Sequence, residues 1–213
     1  MQNWRLVAGG SGLILFLGLA TAVILNAPFV ATFDAWMQSW VFPLRNDDAA
    51  AVLTVLTHVS GTKVSAVLAA AFTIYLALRI GKRQAVAYAG CIVVGEAIVA
   101  VTKLVVGRTR PFGMNLIEFP NDASFPSGHT FAAIAIVAFS LYVIVRTHPA
   151  MPRGIKAVLI IVAVAWPILI AFTRIYLGAH WPTDILGSFL VGGCAFFPFA
   201  TYVWQRVSNS RPQ

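Results

Sequence analysis

Six apolar stretches, each close to the length of a membrane span, dominate this chain: 7–29, 63–81, 85–106, 129–146, 155–175 and 182–204. A helix needs about 20 apolar residues to cross a hydrocarbon core roughly 30 Å thick, and inside lipid it satisfies its own backbone hydrogen bonds. These stretches predict an all-α polytopic membrane protein, a bundle of six transmembrane helices. Charged residues make up only 10% of the chain, against about 25% in a typical soluble domain. The first stretch follows Arg5 and has the basic start of a secretory signal, but its apolar run exceeds the usual core of about 7–15 residues, so it is read as an anchor. Segments 32–42 (TFDAWMQSWVF) and 47–60 (DDAAAVLTVLTHVS) are too short or too polar to span. They are expected as short interfacial helices in the first outer loop, with Trp36 and Trp40 at headgroup level. No repeat or low-complexity tract divides residues 1–213, which read as a single membrane-embedded domain.

The net charge of +8 raises the question of nucleic acid, and its distribution answers it. With six spans and the N-terminus inside, Arg5, Arg79, Lys82, Arg83, Arg146, Arg153, Lys156, Arg206 and Arg211 fall on one side, with no acid among them. That is the positive-inside pattern of a cytoplasmic face, not a polyanion-binding patch. Cys91 and Cys194 lie within spans, where a thiol is a small apolar group, and no further cysteines form a disulfide framework.

The remaining cations, Arg45, Lys63, Lys103, Arg108, Arg110 and Arg174, map against the rule to outer span ends and outer loops. Together with His129 and His180 they suggest a site for an anion at the outer boundary. In KLVVGRTRP (103–111), Gly107 is suited to end the helix in a left-handed conformation, turning Lys103 and Arg110 toward one spot; two snorkelling basics would be the bland alternative. In PSGH (126–129), Ser127 suits an N-cap and Gly128 permits close backbone approach, at a helix start whose free N–H groups suit phosphate. His129 then sits where an imidazolium could protonate a leaving oxygen. In TRIYLGAHWPTD (173–184), Asp184 is placed to accept the Nδ1 proton of His180, leaving Nε2 free to attack. Pro182 suits the first helical turn. Each of the last two stretches also has a plain helix-capping explanation.

At these residues the sequence resembles the type 2 phosphatidic acid phosphatase family, relatives of the vanadium-dependent haloperoxidases. The signature K-x6-RP, PSGH and SR-x5-H-x3-D reads here as Lys103 to Arg110-Pro111, Pro126-Ser127-Gly128-His129, and Thr173-Arg174 to His180 to Asp184. Thr173 stands where the family usually has serine. The resemblance implies His180 as nucleophile forming a phosphohistidine, Asp184 orienting it, and His129 as acid and then base. It implies Lys103, Arg110, Ser127, Gly128 and Arg174 as holders of the phosphate oxygens, with Thr173 a possible accessory.

The expected activity is therefore a lipid phosphate phosphatase of the membrane's outer face, needing no metal or other cofactor. Undecaprenyl pyrophosphate and phosphatidylglycerol phosphate lead the substrate candidates, with phosphatidic acid and a lipid A phosphate as alternatives. The resemblance and the short chain favour a bacterial inner membrane. Membrane lipids are the expected partners, with no nucleic acid and no obligate protein. A non-catalytic anion channel or transporter is the reading from another class, and a phosphatase of soluble substrates is a third. The loop 112–125 is expected to shape headgroup access. Glu96 belongs to no motif; seven residues before Lys103, it falls on the same helix face about 10 Å deeper. It is expected either as a neutral acid bonded to a neighbouring helix or as the floor of the phosphate pocket.

Overall fold

The computed structural model describes residues 3–113, 115–118 and 122–209; Arg211 and part of the 112–125 loop lie outside them. Helices carry nearly everything that holds the bundle: α1 (Asn3–Ile24), α2 (Pro28–Val41), α3 (Asp47–Val59), α4 (Thr62–Arg79) and α5 (Lys82–Val106), then α6 (Gly128–Thr147), α7 (Arg153–Tyr176) and α8 (Pro182–Asn209). No strand occurs among the described residues. Six helical stretches are long and apolar enough to cross a membrane, as the hydropathy predicts.

The first outer loop departs in detail from two free interfacial helices. α3 runs on toward α4, and Asp47–Arg79 forms one 33-residue apolar stretch interrupted only at Ser60-Gly61. At 1.5 Å per residue that is far longer than a bilayer core, so the break lets the upper helix lean onto α7. Two bonds fasten the loop there: the Tyr176 hydroxyl donates to Leu44 O at 2.9 Å and accepts from Asn46 N–H at 2.8 Å. α2 turns Val30, Asp34, Gln38 and Val41 inward and leaves Trp36 and Trp40 exposed, as an interfacial helix should.

α6 and α8 form the centre. Below the site an aromatic chain crosses three helices: Tyr88 of α5 stacks on Phe139 of α6, which meets Phe196 of α8 edge-on, which meets Phe131 edge-on. Both central helices loosen into π-helical stretches, Ala133–Ala138 and Phe189–Phe196, each a turn or two beneath a site residue; such stretches are frequent near functional sites. Gly187 admits the Phe125 ring, which would lie 2.6 Å from any Cβ added there. That close approach seats the residues just before PSGH against α8. Both thiols are free.

Candidate active site

Two loops and four helix ends meet at the end of the bundle away from Arg79, Lys82, Arg146 and Arg153. α5 ends as its sequence predicts, with Gly107 left-handed at φ 59° and its N–H bonded to Lys103 O. The chain then turns, and Lys103 and Arg110 converge on one partner, Asp122: Lys103 Nζ donates to Oδ2 at 2.8 Å and Arg110 Nη2 donates to Oδ1. Burial raises the Asp122 carboxyl, but hydrogen bonds from Lys103 and Arg110 and their charges outweigh it and hold it down at about 2.

α6 opens at Ser127, whose Oγ accepts from Thr130 N–H at 3.4 Å and from the Thr130 hydroxyl at 3.1 Å. Both bonds use the Ser127 oxygen as acceptor, so its own proton stays available to a ligand. Gly128 and His129 form the first turn. The His129 ring points toward the α3–α4 break, its Nε2 within 3.9 Å of where a Gly61 Cβ would stand.

α8 opens with Pro182 in its first turn, and Asp184 serves both the helix and the histidine. Its Oδ2 accepts the Trp181 N–H at 2.9 Å and faces His180 Nδ1 at 3.3 Å. The capping reading and the orienting reading of this pair are both realised, by one oxygen. On the other side of the ring, Arg110 Nη1 lies 3.1 Å from His180 Nε2. A guanidinium has donors only, so Nε2 must hold the lone pair and Nδ1 the proton that goes to Asp184. The two partners together select the tautomer whose Nε2 is nucleophilic. Burial, then the positive charges of Arg174, Arg110 and Lys103, keep His180 well below its ordinary 6.5, so the ring is neutral at physiological pH.

The tripartite pattern is matched by similarity as well as geometry, for residues 84–208 fit the family described as the PAP2 superfamily. The chain belongs to this superfamily. It is 36% identical over 97 residues to phosphatidylglycerophosphatase B of Bacillus subtilis (strain 168), which covers 46% of this chain and 47% of that protein. It is 35% identical over 131 residues to undecaprenyl-diphosphatase BcrC of the same organism, covering 55% of this chain and 59% of the relative. The chain thus spans about half the length of the curated relatives it matches. Its fold follows the crystal structure of the first transmembrane PAP2 type phosphatidylglycerolphosphate phosphatase from Bacillus subtilis, with a TM-score of 0.83 over 95% of this chain and 98% of that one. At 24% identity that likeness is one of fold.

Not every residue singled out from the sequence of this PAP2 chain reaches the site. His129, His180, Asp184, Lys103, Arg110, Ser127 and Gly128 gather at it, and Arg174 is near enough to act on both histidines while donating to Thr57 Oγ1 of α3 at 2.8 Å. Thr173 turns its hydroxyl back to Ile170 O at 2.7 Å and is fully buried, so its proton is already spent on the helix backbone. Glu96 is half-buried and makes no hydrogen bond or ion pair with any described residue, neither to a neighbouring helix nor to Lys103. Of the outer cations, Arg45 caps α7 by donating to Ile175 O at 3.3 Å and Lys63 is exposed.

Two acids join that the sequence reading did not place, Asp122 and Asp34, and Arg108, read there only as one of the outer cations, turns to carboxylates instead of an anion site. Asp122 occupies the two cations. Arg108 donates to Asp184 Oδ1 at 2.7 Å and to Asp34 Oδ2 at 2.6 Å. Burial raises the Asp34 carboxyl above its ordinary range, and bonds from Thr183 and Arg108 offset only part of that rise. Asp34 does leave a trace in the sequence: 30, 34, 38 and 41 make a helical stripe, and an acid inside such a stripe calls for a buried partner.

Proposed function

We propose that this protein is an integral membrane lipid phosphatase that hydrolyses a phosphomonoester or diphosphate headgroup through a phosphohistidine on His180. The observation that carries the reading is the placing of His180 between Asp184 at Nδ1 and the Arg110 guanidinium at Nε2, amid Lys103 and Arg174, which leaves the lone pair at Nε2. Phosphoryl transfer depends on positioning and charge neutralisation. A phosphate seated on Lys103, Arg110, Arg174, the Ser127 hydroxyl and the first N–H groups of α6 would present phosphorus to Nε2. The P–O bond to the lipid breaks as N–P forms, and His129 gives the departing oxygen its proton. Water, deprotonated by the now neutral His129, then attacks phosphorus and releases inorganic phosphate, restoring Nε2.

The names of the relatives support undecaprenyl pyrophosphate or phosphatidylglycerol phosphate as substrate class. Arg79, Lys82, Arg83, Arg146, Arg153 and Lys156 cluster at helix ends opposite the site, which supports a site on the outer face and cytoplasmic termini, in a bacterial inner membrane. Three cations and backbone donors supply the positive charge, so turnover needs no metal.

Purified protein in detergent, given a panel of lipid mono- and diphosphates with and without excess EDTA, should release phosphate equally well in both. Vanadate should inhibit as a five-coordinate analogue. No release from any lipid phosphate would refute the reading, and loss in EDTA restored by magnesium would refute the metal-free step.

A further inference from the structure

The sequence GRTRP carries two arginines two residues apart, and the fold sends them opposite ways. Arg110 goes to the phosphate side and His180 Nε2. Arg108 goes beneath Asp184, where Nη1 donates to Asp184 Oδ1 and to Thr183 Oγ1, both at 2.7 Å, and Nη2 donates to Asp34 Oδ2 at 2.6 Å. Asp34 is held in turn by the Thr183 N–H on Oδ1 at 2.8 Å and the Thr183 hydroxyl on Oδ2 at 3.0 Å. Asp34 and Asp184 are almost wholly buried, with side chains 3% and 0% exposed. A continuous chain of bonds therefore runs Asp34, Arg108, Asp184, His180, from α2 to the histidine.

We propose that Asp34 and Arg108 are positioning residues for phosphoryl transfer, setting the orientation and charge of Asp184 and through it the tautomer of His180. The claim rests on His180 being the nucleophile. Asp184 has two oxygens and needs one for His180; with Oδ1 tied to Arg108 the carboxylate cannot rotate away. Charge matters as much. A bare buried carboxylate beside an imidazole favours the imidazolium, which has no lone pair to attack with, and Arg108 offsets that carboxylate. Asp34 keeps Arg108 there. Without the Asp34 charge, Arg108 keeps its bonds to Asp184 Oδ1 and Thr183 Oγ1 but loses the carboxylate that fixes Nη2, and its hold on Asp184 loosens.

A capping role alone would not require this arrangement, since the Trp181 N–H already bonds Asp184 Oδ2. A capping role also predicts a different outcome on mutation: loss of stability with unchanged chemistry in whatever folds.

The test compares wild type, Asp34→Asn and Arg108→Lys, each checked by size exclusion and by inhibition with vanadate, which reports an intact phosphate pocket. Rapid-quench labelling with a phosphorus-labelled lipid phosphate measures phosphohistidine formation. The expected result is slower formation and lower kcat by about tenfold to a hundredfold, the loss seen when partners that orient metal-bound histidines are removed, with KM within about threefold and vanadate inhibition retained. Arg108→Lys keeps a cation but reaches only one carboxylate, and should fall between Asp34→Asn and wild type.

The acid limb of kcat/KM should move to lower pH in Asp34→Asn, because one negative charge leaves the network while Arg108 stays on Asp184, so His180 gives up its proton more easily. His180 is faced by Arg110, Asp184 and the charges of Lys103, Arg174 and Asp122, with His129 across the site; none of these is altered, so the shift reports the network. Unchanged phosphohistidine formation and an unchanged limb in a folded variant would overturn the proposal. Failure of both variants to fold would make the chain of bonds purely structural and overturn it too. Wild type that turns over without any phosphohistidine would instead overturn His180 as nucleophile.

Discussion

If Lys103 and Arg110 seat the substrate phosphate as proposed, Asp122 holds its place. Its carboxylate spans Lys103 and Arg110, accepting at 2.8 Å from the first and at 2.5 and 3.2 Å from the second. A phosphate that engages both cations must displace it. The side chain is 47% exposed, so each pair is screened and is worth about 0.2–1 kcal/mol rather than the value of a buried pair. Two such pairs come to roughly 0.5–2 kcal/mol. At tenfold per 1.4 kcal/mol, that is a factor of about 2–30 in apparent affinity. Asp122→Asn keeps the size of the side chain and removes the charge. Its KM for a lipid phosphate, and the inhibition constants of vanadate and inorganic phosphate, should all fall by about that factor, and kcat should not rise. Steady-state kinetics in mixed micelles at two ionic strengths would measure this. The advantage should shrink at high salt, where the Asp122 pairs of the wild type are already weakened. Unchanged constants for all three ligands would show that phosphate never competes with Asp122, and a higher KM would mean that Asp122 holds the two cations in place for substrate.

The two histidines should fail differently. His180→Ala abolishes phosphoenzyme and turnover, whereas His129→Ala loses about 10²–10⁴ on an alkyl phosphate and far less on an aryl phosphate with a good leaving group; equal losses on both would remove the acid role. Because burial and the charges of Arg174, Arg110 and Lys103 lower His180, it stays neutral as pH falls through 6.5, and the acid limb of kcat/KM assigned to it must lie below that value. A thiophosphate analogue separates the ionisation of the substrate, and an enzyme limb above 6.5 would contradict the electrostatics of the site. Glu96→Gln should leave kcat and the pH profile within about twofold of wild type, since Glu96 makes no polar contact with any described site residue; a shifted profile would bring it into the site.

Local sequence determined the architecture. The six apolar lengths, Ser127 as N-cap, Pro182 in a first turn and Gly107 at a left-handed helix end are each dictated by a few neighbouring residues. The spacing from His180 to Asp184 likewise placed both groups on either side of one helix start. What the sequence left open depends on contacts between distant segments. Asp34 and Thr183 are separated by 149 positions and Arg108 and Asp34 by 74, and no local periodicity encodes which buried acid an arginine will meet. The same holds for the divergence of Arg108 from Arg110, for Asp122 across the cations and for the leaning of α3 onto α7. Thr173 was legible as a motif position but not as a hydroxyl already bonded to its own helix, because a β-branched alcohol in a helix has a carbonyl within reach whatever the loop opposite it does. Sequence chose the chemical groups and the helices that bear them; tertiary packing decided which charges meet, because a buried charge takes its partner from whatever the fold brings within about 3 Å.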